Sequence, residues 1–220
     1  MGEFFRKKGT IAVKICGLTS PEEALLCARA GADAIGLVFY PPSPRNVSVD
    51  LAREISMALP QETVAIGVFV DESFEFIMER VEKCGLGGVQ LHGNESPELV
   101  RRLKKKGLAV IKALFGVKEP GFHKAHLYDD AHAILVEYGR GKLPGGNAES
   151  WNWGASKELS CINKNRKIIV AGGITPENAL EVIETARPWA MDISSGVECA
   201  PGKKDMKKVT ALFKAIFKVF

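Results

Sequence analysis

The sequence predicts an α/β fold, a single-domain (β/α)8 barrel of the TIM type, and three observations predict it. Short apolar runs alternate with helix-like stretches along the chain, eight such runs fit within about 210 residues, and polar residues gather at one end of nearly every run. A doubly wound open sheet is the competing architecture, but it would usually employ fewer strands.

The elements follow in order. Residues 1–10, "MGEFFRKKGT", are short and basic without an apolar h-region, so they read as an N-terminal extension and not as a secretory signal. The barrel is expected over residues 11–220. Its strands are predicted at Ile11–Cys16, Ala34–Phe39, Val64–Val70, Gly88–His92, Ala109–Leu114, Ala133–Tyr138, Lys167–Ala171 and Trp189–Ser194. Each is rich in Val, Ile and Ala and does not alternate cleanly, as expected of strands covered by helices outside and packed inside. Helices are predicted at Pro21–Ala30, Ser73–Lys83, Ser96–Lys105 and Pro176–Thr185. Three carry a hydroxyl cap followed by proline: Ser20-Pro21, Ser96-Pro97 and Thr175-Pro176. The closing "ALFKAIFKVF" reads as an amphipathic terminal helix on the barrel.

Composition bounds the function classes. Hydrophobic residues make up 46% and charged residues 25% of 220, which fits a globular protein with a substantial core. The formal charge of +4 is modest and its lysines and arginines are scattered, so no nucleic-acid partner is expected. No run of about 18 apolar residues exists, so no membrane span is expected. The five cysteines, 16, 27, 84, 161 and 199, form no C-x-x-C pair, which points to free thiols in a reducing, cytoplasmic setting.

In such a barrel, chemistry collects at the C-terminal ends of the strands. Read in order, those ends offer Cys16, Arg45 in "PPSPRNVS", Asp71, Gln90 and His92 in "VQLHG", Lys112, Glu137, Gly172-Gly173, and Asp192 with Ser194-Ser195-Gly196. The glycine-rich ends of strands seven and eight fit a phosphate site, since glycine lets backbone N–H groups approach an anion and the serines add hydroxyls. Strand alternation places Lys14 and Cys16 on the same inward face, where Lys14 and helix N–H groups are expected to lower the thiol pKa. His92 and Asp192 belong to no cluster with metal spacing, so no metal is predicted.

The ordered set "VKICGLT", "FYPPSPR", "GVFVDES", "VQLHG", "VIKA", "AGGITPEN" and "DISSGVE…PGKKD" resembles the successive motifs of phosphoribosylanthranilate isomerase. The resemblance implies a cofactor-free enzyme of tryptophan biosynthesis. Its reaction would be an Amadori rearrangement of N-(5-phosphoribosyl)anthranilate, a small-molecule phosphosugar, by general acid–base catalysis in a monomer or homodimer. It also implies Cys16 as base, Glu137 as acid and Arg45 on the anthranilate carboxylate. His92 and Asp192 would line the pocket, and Gly172, Gly173, Ser194, Ser195 and Gly196 would hold phosphate. Two departures stand out. Glu137 replaces the usual aspartate, moving the carboxyl about 1 Å outward, and "GGNAESWNW", Gly145 to Trp153, puts Trp151 and Asn152 where the pattern has phenylalanine and aspartate. They keep open a related barrel isomerase on another aminated sugar phosphate, or a non-catalytic phosphosugar-binding barrel.

Overall fold

The computed structural model describes residues 11–140, 150–156 and 166–217. Eight parallel strands close into a barrel in sequence order. They are β1 (Ala12–Cys16), β2 (Ala34–Phe39), β3 (Val64–Phe69), β4 (Gly88–Leu91), β5 (Ala109–Phe115), β6 (Ala133–Glu137), β7 (Ile168–Ala171) and β8 (Ala190–Ile193). Pairing of β1 with β8, Lys14 opposite Asp192, closes the ring. All eight predicted strands form, within one or two residues at their ends.

The helices pack outside. They are α1 (Pro21–Ala30), α2 (Val49–Ala58), α3 (Phe74–Cys84), α4 (Pro97–Lys105), α5 (Ala179–Ala186) and α6 (Met206–Phe217). Ser20 and Ser96 cap α1 and α4 through their side chains, each with proline in the first turn, as the sequence predicts. Thr175 behaves differently. Its N–H donates to Asn178 Oδ1 at 2.8 Å, Asn178 Nδ2 donates to Gly173 O at 2.9 Å, and residues 176–178 turn before α5 begins at Ala179. The asparagine thus ties the loop back to strand seven instead of letting the helix start at the proline. After β5 the connection is a 3-10 helix, Phe122–Tyr128.

Two apolar layers hold the fold. Side chains such as Ile15, Val89, Leu91, Leu114 and Val170 face the helices, while Ala12, Ile66, Ile111, Ala113, Leu135, Ile169 and Ala190 fill the barrel. The period-2 alternation along each strand therefore sets which residues reach the interior. A hairpin after β8, β9 (Glu198–Ala200) with β10 (Lys203–Lys204), precedes α6. Cys199 lies on it and is exposed. Cys161 and the predicted residues Gly145 and Gly146 lie outside the described residues.

Candidate active site

Strand β1 points Lys14 and Cys16 into the barrel, both buried. Lys14 Nζ reaches Asp192 Oδ2 at 2.8 Å. Gly36 stands opposite Cys16 in the register, and a Cβ there would fall 2.6 Å from Cys16 Sγ and 3.0 Å from Lys14 Nζ. Only glycine leaves room for thiol and ammonium to share that corner. Burial pushes the Cys16 thiol above its ordinary value, while Lys14 beside it pulls the other way. The expected lowering is thus overridden by loss of solvent. Burial also opposes the charge on Lys14, but Asp192 and Cys16 together hold its pKa above the usual lysine value.

A second buried network supports the same corner from behind. Lys204 Nζ donates to Cys16 O at 2.6 Å, Ser194 O at 3.3 Å and Glu198 Oε1 at 2.8 Å. Glu198 also receives two bonds from Arg45, Nε at 2.9 Å and Nη2 at 2.6 Å. Arg45 is buried and lies against Gly17, rather than solvated in its proline-rich loop. The fork to Glu198 uses two of its five N–H groups and leaves three for a ligand. Sequence reasoning had quoted "SGVE…PGKKD" as a motif without giving Glu198 or Lys204 a role; burial of both is what reveals it.

On the other side, β6 ends in Glu137, buried, with Oε2 3.4 Å from His92 Nε2. Its stem lies against Gly172, where a Cβ would be 3.2 Å from Glu137 Cγ and 3.3 Å from Trp151 Nε1. Trp151 Nε1 donates to Ala171 O at 2.9 Å and Trp153 Nε1 to Gly172 O at 3.1 Å. Two indoles thus roof the end of β7 beside the acid, so the longer glutamate and the altered aromatic loop form one packed unit. Lys118, from the loop after β5, sits over the Phe115 ring at 4.1 Å and faces Glu137.

Between these two halves lie the glycine-rich ends. Gly172 and Gly173 have φ of 89° and 65°, conformations that favour glycine. A Cβ on Gly196 would fall 1.8 Å from Ile174 O, so the ends of β7 and β8 are pressed backbone to backbone. The Ser194 hydroxyl donates to Cys16 O at 3.0 Å and braces β1, leaving Ser195 and the backbone N–H groups as the donors there.

Two of the strand-end residues serve as structural support. Lys112 points outward under α4, donating to Leu91 O, Gly93 O and Glu95 Oε2, because its place in β5 alternates with the inward Ile111 and Ala113. Asp71 accepts from the N–H of Asn94 in the adjoining loop. Gln90 does face inward. Its Oε1 and Asp192 Oδ1 are buried acceptors without a partner among the described residues. No group of three or more His, Cys, Asp or Glu among the described residues is arranged to hold a metal, and no helix of theirs is long and apolar enough to cross a membrane.

Residues 13–215 match the family model described as N-(5'phosphoribosyl)anthranilate (PRA) isomerase. The chain belongs to this family. A relative from Desulfatibacillum aliphaticivorans, named N-(5'-phosphoribosyl)anthranilate isomerase, is 51% identical over 90% of this chain and 89% of its own length. One from Rubrobacter xylanophilus, of the same name, is 44% identical over 92% and 97%. A crystal structure of phosphoribosyl anthranilate isomerase with reduced 1-(o-carboxyphenylamino)-1-deoxyribulose 5-phosphate superposes with a TM-score of 0.82 at 37% identity, covering 95% of this chain and all of that one. Membership fixes the fold family and the order of the strand-end motifs.

Proposed function

We propose that this member of the family isomerises N-(5'-phosphoribosyl)anthranilate in tryptophan biosynthesis, with Glu137 as general acid and Cys16 as general base. The observation that carries this reading is that both groups are buried on inward-facing strand ends, on either side of the glycine-rich ends of β7 and β8. A phosphate seated on Gly172, Gly173, Ser195 and Gly196 puts the sugar between acid and base.

Glu137 protonates the ring oxygen as the furanose opens to a Schiff base. Cys16, as thiolate, then removes the proton from C2 of the sugar, giving an enolamine that tautomerises to the ketone. A thiol raised by burial is a strong base once ionised, and Lys14 supplies the neighbouring charge for that ionisation. Asp192 Oδ1 is an acceptor for a sugar hydroxyl, and the open N–H groups of Arg45 suit the anthranilate carboxylate. His92 lines the pocket beside Glu137. No cofactor is required by these steps, and the phosphosugar is the only partner invoked. We place the chain in the cytoplasm as a monomer or homodimer. Its free thiols fit a reducing compartment, and a Thermotoga maritima relative is described as dimeric, with monomers generated from it.

The test is turnover of phosphoribosylanthranilate by Cys16→Ala and Glu137→Gln, with folding checked by circular dichroism. Each is expected to lose roughly 10²–10⁴-fold in kcat. Full turnover by either folded variant overturns its assigned role, and failure of the parent chain to complement a tryptophan auxotroph lacking this step overturns the activity.

A further inference from the structure

Gln90 is 1% exposed and has no part in the proton transfers above, yet its side chain is aimed at the acid through an intermediary. Its Nε2 lies 3.0 Å from His92 Nδ1. An amide nitrogen can only donate, so Nδ1 accepts, and a neutral imidazole then carries its proton on Nε2. That nitrogen is the one 3.4 Å from Glu137 Oε2. The ring is fixed by edge-on contact with Phe115, centroids 5.4 Å apart at 82°. The backbone on both its flanks is fixed by Lys112, which donates to Leu91 O at 3.3 Å and Gly93 O at 2.7 Å.

We propose that Gln90 is a positioning residue that selects the Nε2–H tautomer of His92 and so aims a hydrogen-bond donor at Glu137. The inference rests on the reading of Glu137 as general acid. In the acid step, the Glu137 O–H bond breaks and its proton joins the ring oxygen. That oxygen takes the electron pair of its bond to C1, while the amine lone pair forms C1=N. The carboxylate left behind receives the His92 N–H, and His92 keeps its own proton throughout. A donor held ready for the carboxylate favours the product of this step over the start, which is where binding accelerates a reaction.

The test uses the intact chain with 15N-labelled histidine, read by two-bond 1H–15N correlation and assigned with His92→Gln. From the Gln90 contact, His92 is expected with its ring proton on Nε2 and Nδ1 bare. In Gln90→Leu that preference is lost and kcat falls about tenfold with KM steady, the size of one hydrogen bond removed from the transition state. A His92 found as the Nδ1–H tautomer or as imidazolium overturns the proposal. So does a Gln90→Leu variant whose tautomer changes while kcat does not. If Gln90→Leu fails to fold, the spectrum of the parent chain decides alone. Failure of the underlying reading is recognised separately, by a Glu137→Gln variant that turns over fully whatever the His92 spectrum shows.

Discussion

Lys14 and Asp192 meet across the seam that closes the barrel, Nζ to Oδ2 at 2.8 Å, on residues directly opposed in the β1–β8 register. The bond joins the first strand to the last at the height of the Cys16 thiol. One buried pair thus serves both the closure of the sheet and the charge balance of the base.

Replacing Lys14 by methionine leaves Asp192 buried without its cation. Loss of one partner from a buried pair costs about 3–5 kcal/mol, and urea unfolding should show it. The same change removes the charge that opposes burial at Cys16, so alkylation of that thiol by iodoacetamide at pH 8 should slow further. In the parent chain Cys16 should already react more slowly than exposed Cys199, because its pKa is raised. Equal rates for the two thiols would contradict the burial argument.

Glu198 carries a pH dependence. Burial alone would raise its pKa, but two bonds from Arg45 and the charge of Lys204 hold the carboxyl below the usual range. Because the folded value is the lower, the unfolded chain binds the extra proton in between. The stabilisation is therefore complete above the ordinary carboxylate value, near ~4.3, and is lost as pH falls through the folded value. Melting temperatures of the parent and Glu198→Gln should differ most at neutral pH and converge in acid; a constant gap would refute the assignment.

Gly196→Ala would place a methyl 1.8 Å from Ile174 O, a backbone atom that cannot swing aside. The ends of β7 and β8 must then part. If they seat the phosphate, KM for the phosphorylated substrate should rise about tenfold or more, as a misplacement near 1 Å allows. Unchanged KM would remove the phosphate from these loops.

The barrel was legible because the strands' apolar runs and the polar ends are both properties of short local stretches. Lys14 and Cys16 could be turned inward for the same reason, since alternation decides their facing, while Glu137, His92 and Asp192 stood out as strand-end residues whose roles the family resemblance implied. What local pattern does not carry is pairing across the sequence. Arg45 meets Glu198 and Lys204 meets Cys16 O over separations of 153 and 188 residues, and nothing in either neighbourhood signals the partner. Lys112 shows how much one position of phase decides. It sits at a strand end like the pocket residues, but one position out of phase with Ile111 and Ala113, and parity sends it to Glu95 outside the barrel. The thiol pKa failed on a second ground, because burial depth is a property of the closed fold.

Lys204 has a consequence for how the barrel is held shut. It lies on the hairpin that follows the last strand, yet it is the ammonium to which the carbonyls of Cys16 and Ser194 bond. The hairpin therefore works as a clasp, fastening the end of the first strand to the end of the last through a residue that belongs to neither.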